Sequence, residues 1–595
     1  MNASAPVELD RSLISAGLFS FFALAFVATP YWLVSEARAE RIVFLLITIF
    51  LGLLWTLLSA NAVRVQLDRR SWISAAILLP LIGALNFRAL TSALPWRGDE
   101  SSHVAAALRL ARMVPLCWTV IGLAVFLLIL VISWRRPKYA LASCALLVVG
   151  CVAVYLLRQP PLVRGILRYP FVSRWFHALA PAFLGPLIGM QHEILFRLVP
   201  LFSAVILSWR FARSVSAQNT AIAVALGLAA ATIPEVFYYS SLLYLEMPAV
   251  VLMFLVCTSI DQLLSASFND LKKHPSWYAL ILIGFIKETT VPFLLCFVVC
   301  RVIAQLRSSS ARSSWKRLLR DELFMAMGTL LPLALYLFYR IYFGNPRTFD
   351  FVPANLFNLQ VLAVTLLSHL QQFGLAYLLF IAGLVLLFKT RQYRQAVFLL
   401  LVFIGVPVFH LLDTAKYAGY SRFNLFILPP VLAGAAVFLR FLGTKKKWYL
   451  PALAGLILAT NLALTPVNLD GTKKPTWGYP GESYYPFPEA LEWIKSNSNP
   501  TLIVFAGLGF DYYFDFYFDK MDWHPQYEPL KDFDAGDPAS FYNALQFASE
   551  HGSTCVVIIM DQNPADPPQL TGGAQQWKLK VFRNMAYSLR VYTRN

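Results

Sequence analysis

The feature that most limits this chain is a series of long runs without a single charge: Ser12 to Ser35, Ile42 to Val63, Leu116 to Ser133, Tyr139 to Leu157, Ser214 to Pro234 and Gln395 to Leu412. A helix needs roughly 18 to 20 apolar residues to cross the hydrocarbon core of a bilayer, and each run is near or above that length. In lipid every backbone N–H and C=O must be bonded internally, so such runs become helices. The chain therefore reads as mainly α, a polytopic helical membrane protein. Only 14% of its 595 residues are charged and 58% are hydrophobic. A soluble protein carries about 25% charge, so an ordinary cytosolic enzyme is excluded.

The net charge of +18 suggests nucleic acid until it is divided. Residues 466–595 hold 15 acidic and 10 basic residues, a net −5, which leaves 17 acidic and 40 basic, a net +23, in residues 1–465. The positive charge thus sits in short clusters between apolar segments, the pattern of topology signals and lipid headgroups. No nucleic-acid partner is expected.

Those clusters fix an orientation if cytoplasmic loops carry the excess Lys and Arg. They are Arg64/Arg69/Arg70, Arg135/Arg136/Lys138, Arg210/Arg213, Lys272/Lys273, Arg307 through Arg320, Lys389/Arg391/Arg394 and Lys445/Lys446/Lys447. Placing all of them on one side requires an even number of crossings between neighbours. Between Lys273 and Arg307 this demands a hairpin of two short arms, Trp277 to Ile286 and Thr289 to Cys300, with Lys287 and Glu288 at its tip. One long helix through Lys287 is the alternative, and it would place Lys445–Lys447 outside. With the hairpin, about thirteen to fifteen crossings result. The outer loops are then 95–115, 158–180, 235–246, 340–358 and 410–422. Glu8, Asp10 and Arg11 do not make the basic leader of a cleaved signal, so the first apolar run is expected to stay in the membrane.

Past Leu464 the composition changes. Thr465 to Pro488 is rich in Gly, Pro and Tyr; Pro488 to Asn497 and Ser540 to His551 read as helices. Thr501 to Ala506 and Thr554 to Met560 read as strands, and Trp577 to Tyr592 as one or two more. Two domains follow: 1–465, multi-pass transmembrane, and 466–595, a small α/β domain on the outer face. The Tyr-rich stretches 477–487 and 512–518 can stack on sugars or simply pack a core. Six of the seven cysteines lie in apolar segments and Cys555 stands alone in the tail, so no structural disulfide is expected.

The stretch RGDESSHVAAALRLAR, residues 97–112, puts Asp99 and Glu100 at the outer interface with His103 close by. Adjacent carboxylates there can supply a general base or hold a divalent cation. They can also merely solvate the loop and start a helix with favourable negative charge. Glu246 stands at the edge of a membrane segment after Tyr244, where an ionised carboxylate needs a partner or a water-filled cavity. Lys287 and Glu288 can neutralise each other; a Lys287 that faces a cavity is instead a point charge suited to a phosphate. Arg422 opens an apolar helix from the outer side and can hold a phosphate bidentately or snorkel to headgroups.

In order along the chain, RGDESSHVAAALRLAR, RYPFVSRWFHAL (168–179), IPEVFYYSSLLYLEMPAV (233–250), GFIKETTVPFLL (284–295) and YSRFNLFILPP (420–430) resemble the GT-C superfamily of integral-membrane glycosyltransferases. That superfamily includes protein O-mannosyltransferases and lipid A aminoarabinose transferases. The likeness covers most of 72–595. Two extra membrane segments precede the Asp-Glu loop, and 116–157 looks like two crossings where the family more often has juxtamembrane helices.

The resemblance implies transfer of a sugar from a polyprenyl-phosphate donor to a lipid, glycan or protein acceptor at the extracytoplasmic face of a bacterial inner (plasma) membrane. In that reading Asp99 is the general base, and Glu100 and Glu246 orient acceptor or sugar. His103, Arg168, Tyr169, Tyr244, Lys287 and Arg422 bind substrate. No cofactor is expected, although a divalent cation at Asp99 and Glu100 remains open. A polytopic transporter or lipid-linked-sugar flippase is the competing class.

Overall fold

Of the charge-free runs, Ser214 to Pro234 and Gln395 to Leu412 fold largely as helices, whereas Ser12 to Ser35, Ile42 to Val63, Leu116 to Ser133 and Tyr139 to Leu157 lie outside the described residues. The structure, a computed structural model, describes residues 69–91, 104, 185, 189, 192–216, 219–242, 246–271, 274–307, 320–330, 333–334, 352–412, 422–446, 448–464, 486–506, 512–530, 533–534, 537–561, 576–584 and 587–594. Among them the helical part runs α1 (Arg69–Leu85), α2 (Glu193–Val215), α3 (Thr220–Ala231), α4 (Pro234–Tyr239), α5 (Glu246–Ser265), α6 (Pro275–Ile286) and α7 (Val291–Leu306). It continues with α8 (Leu359–Phe373), α9 (Leu375–Lys389), α10 (Tyr393–Leu411), α11 (Leu428–Lys445) and α12 (Tyr449–Leu464).

Four helices are long and apolar enough to span a membrane: α2, α5, α10 and the segment Asn424–Lys445 that contains α11. The pair α8 and α9 passes the same test jointly but is bent by 103°. Much of the expected thirteen to fifteen crossings lies outside the described residues.

Local sequence explains the breaks. Asn219 and Asn358 cap α3 and α8, their side chains accepting from Ile222 N at 3.2 Å and Gln360 N at 3.0 Å. Gly374, between α8 and α9, has φ 56° and ψ −143°, a conformation that side chains with a Cβ rarely adopt. Gly383 of α9 faces Gly434 of α11 so closely that a Cβ on Gly383 would overlap the Gly434 carbonyl.

The ends of these helices segregate. At one end Arg440 Nε donates to Ser214 O at 2.9 Å, Gln305 Nε2 donates to Leu264 O at 2.9 Å, and Arg210 and Arg213 sit over Trp209. This basic end carries the described parts of the Lys and Arg clusters. At the other end Asn461 Nδ2 donates to Ala229 O at 3.0 Å, Ser240 Oγ donates to Asn86 Oδ1 at 2.7 Å, and Arg197 donates to Leu90 O at 3.2 Å. Sequence parity places these ends on one side too.

The hairpin about Lys287 is present. The foot of α6 is tied to α5 by His274 Nε2 with Gln262 Oε1 at 3.0 Å and by Ser276 Oγ with Ser259 Oγ at 3.1 Å. Its tip reaches Glu246, the first residue of α5, so α6 runs antiparallel to α5. A 3-10 turn at Glu288–Thr290 reverses the chain, and Thr290 Oγ1 donates to Lys287 O at 2.6 Å. α7 then returns to the basic end, where Arg301 donates to Leu263 O and pairs bidentately with Glu322, at 3.1 and 3.0 Å. A Cβ on Gly284 would lie 3.7 Å from Leu294 Cδ1. In one straight helix these positions would be about 15 Å apart. The arms are 12 and 16 residues, longer than the sequence estimate of 10 and 12.

The C-terminal part comprises α13 (Phe487–Asn497), β1 (Leu502–Ala506), α14 (Tyr512–Met521), β2 (Gln526–Leu530), α15 (Pro538–Glu550), β3 (Cys555–Asp561), β4 (Trp577–Asn584) and β5 (Tyr587–Arg594). The sheet order is β2-β1-β3-β5-β4, with β1 parallel to β2 and β3, and β5 antiparallel to β3 and β4. Buried Val504, Val556 and Ile558 meet Phe541, Ala544 and Leu545 of α15 on one face. α14 belongs to the other face: Phe514, Phe516, Tyr517 and Phe518 are buried, and Phe516 meets Phe196 of α2 edge-on at 5.6 Å. Lys520 pairs with Glu193, the first residue of α2. The sheet domain therefore stands on the polar end of the helices.

Candidate functional site

An apolar bundle can keep ionised groups only where they satisfy one another. Glu246 and Lys287 do so: Lys287 Nζ lies 2.9 Å from Glu246 Oε1, with side chains 2% and 0% exposed for Lys287 and Glu246 respectively. Glu246 occupies the first turn of α5, where the positive end of the helix dipole favours a carboxylate. Lys287 caps the C-terminal end of α6, where the dipole favours a cation. Two opposed helix ends and the chain reversal at Glu288–Thr290 thus hold one buried ion pair.

Polar groups gather around it. His410, in the last turn of α10, is buried and close enough to feel the charge of Lys287. The turn Pro353–Phe357 is tied to that helix end, since Asn355 Nδ2 donates to Leu411 O at 2.9 Å and Val352 N to Leu412 O at 2.7 Å. The 3-10 segment Arg422–Ile427 packs on α5 and α10 and carries buried Asn424. His369 of α8 is buried as well. α4 contributes buried Glu235, Tyr238 and Tyr239, the two rings edge-on at 5.0 Å.

Of the sequence-derived site residues, the fold brings Glu246 and Lys287 into direct contact, 41 positions apart. Lys287 thereby takes Glu246 as a partner, which sequence adjacency to Glu288 does not suggest. Glu246 thus has the partner that an ionised carboxylate at the edge of a membrane segment needs. Arg422 starts the 3-10 segment at this same end, while its side chain lies outside the described set. Asp99, Glu100, His103, Arg168, Tyr169 and Tyr244 lie outside the described residues. Val104, next to His103, is buried in the main hydrophobic core.

His410, His369, Asn424 and Asn355 were not singled out from sequence. His410 had a usable signal, because it lies near the end of a charge-free run at the edge of a predicted outer loop. Among the described residues no group of three or more His, Cys, Asp or Glu is placed to hold a metal ion. No protein-family model, curated protein or solved structure matches the chain.

Proposed function

We propose that the chain is a membrane glycosyltransferase that moves a sugar from a polyprenyl-phosphate donor to an acceptor at the polar end of the bundle, on the side where the sheet domain stands. The observation that carries this reading is the fully buried Glu246–Lys287 pair, held at that end by a helix reversal with buried His410 close to Lys287. Burying two charges costs several kcal/mol per ion before pairing offsets it. Ionisable residues at such depth are, by default, functional candidates.

The chemistry follows from the donor. A sugar on a lipid phosphate is already activated, so the protein must deprotonate the acceptor and stabilise the departing phosphate. Asp99 is assigned as the base, supported by the order of the five motifs rather than by geometry. Lys287, anchored by Glu246, is a point charge suited to a phosphate oxygen. Arg422 is assigned to the same phosphate, and Glu100, Glu246, His103, Arg168, Tyr169 and Tyr244 to sugar or acceptor.

The test is transfer from a panel of polyprenyl-phosphate sugars by purified Asp99→Asn, with products read by mass spectrometry. Turnover is expected to fall about 100- to 10,000-fold with donor binding retained. Parental turnover would remove Asp99 from the role of base.

The competing reading is a transporter or flippase, favoured by one observation, the 103° break between α8 and α9. Repeat-built transporters carry such breaks in corresponding positions of two halves. Movement of the donor between leaflets of proteoliposomes that hold the protein and no acceptor, without sugar transfer when acceptor is added, would decide for it.

A further inference from the structure

Helix α8 is inverted with respect to the protein. Its polar residues Thr365, Ser368, His369 and Gln372, spaced as one helical face, are all buried. Its large apolar residues point outward: Leu359 is 80% exposed, Leu366 54% and Leu367 56%, with Val364 and Leu370 also exposed. A helix lying on a protein surface in water shows the opposite arrangement. Full exposure of such side chains to water forgoes roughly 1.5–3 kcal/mol each.

Depth decides what covers this face. α9 follows α8 at 103° and ends at Lys389. Its 15 residues rise about 22 Å at 1.5 Å per residue, while the hydrocarbon core is about 30 Å thick. With Lys389 and Arg391 at one interface, Gly374 lies several ångströms short of the other. A helix leaving Gly374 near right angles then runs in the membrane plane, beneath the headgroups. Leu378, Ile381 and Val385 of α9 are exposed as well.

We propose that α8 is an in-plane helix sunk in the acyl-chain layer of the leaflet on the polar end, its outward face covered by lipid tails and its inward face sealing buried polar groups from them. The occupant is lipid acyl chain, and the surface stands independently of the transferase reading.

The full chain carrying p-benzoylphenylalanine at Leu359, Leu366 or Leu370, reconstituted in phosphatidylethanolamine–phosphatidylglycerol nanodiscs, tests this by photolysis and intact mass. Ile381 on α9 serves as the lipid-facing reference and exposed Lys578 on β4 as the aqueous one. Adducts of one phospholipid mass at the α8 sites, in yield comparable with Ile381 and several-fold above Lys578, are expected. Yields at all three α8 sites as low as at Lys578, or products of twice the chain mass, would overturn it, the latter assigning the face to a second copy.

Discussion

Removing one member of the Glu246–Lys287 pair leaves the other charge buried at 2% exposure or less. Breaking a buried pair in this way costs about 3–5 kcal/mol, whereas replacing both partners by uncharged groups is often neutral or stabilising. The two single variants should be comparable. Lys287→Met leaves a carboxylate in the first turn of α5 and Glu246→Gln leaves an ammonium at the C-terminal end of α6, so each orphaned charge keeps one favourable helix end, worth up to about 2 kcal/mol in a buried setting. Both are therefore expected near the lower bound. The double variant is expected within about 1 kcal/mol of the parent, a strongly non-additive cycle. Equilibrium unfolding in mixed dodecylmaltoside–SDS micelles, followed by tryptophan fluorescence, measures all four proteins. Additive single effects would refute the argument. The double variant also separates stability from chemistry, because it is expected to fold and yet fail to turn over a lipid-phosphate sugar.

Other consequences are equally direct. Engineered cysteines at Lys446 and Asn497 should divide by side, with an impermeant maleimide applied to intact cells labelling the second and not the first; the reverse pattern would invert the assigned orientation. Gly383→Ala should destabilise by about 1–3 kcal/mol or more, because its methyl meets backbone of Gly434 that cannot rotate away. Gly455→Ala, with open space around its Cβ, should instead be neutral or slightly stabilising in the same micelle unfolding assay. Burial pushes the Cys555 thiol well above its ordinary value of 9.0, so it should resist maleimide in the native domain and label on unfolding. Since the unfolded thiol ionises first, this contribution to stability is present below about pH 9 and is lost as pH rises; protection that persists unchanged through alkaline unfolding would contradict it.

Sequence reasoning reached the hairpin because charge parity is a global constraint that two short arms at Lys287 must satisfy. It did not reach the Glu246–Lys287 contact, since adjacency offers Glu288 equally well and only packing of α6 along α5 chooses. The polar stripe of α8 is readable at Thr365, Ser368, His369 and Gln372, but its direction is not: water and a polar protein interior demand the same periodicity. In the sheet domain β1, β3 and α15 follow from apolar runs and the Asp537 cap. α14 escaped because its Phe and Tyr residues have strand-like propensity, and only burial against α2 and β1 selects a helix. β2 escaped because Pro529 and Glu528 argue against a central strand. Both are tolerated because β2 ends the sheet order.

The tie between α6 and α5 makes length itself a determinant of the candidate site. α6 is fixed at its foot by Gln262 and Ser259 and at its tip by Glu246, so it acts as a gauge between two marks on one neighbouring helix. Deleting one residue anywhere between Ser276 and Ile286 would withdraw Lys287 by about 1.5 Å and swing it roughly 100° about the helix axis, away from its carboxylate. Point substitutions on the outer surface of this helix alter neither quantity. The segment should therefore accept changes of residue far more readily than changes of register, a constraint unlike that on most surface loops, where insertions are the cheaper change.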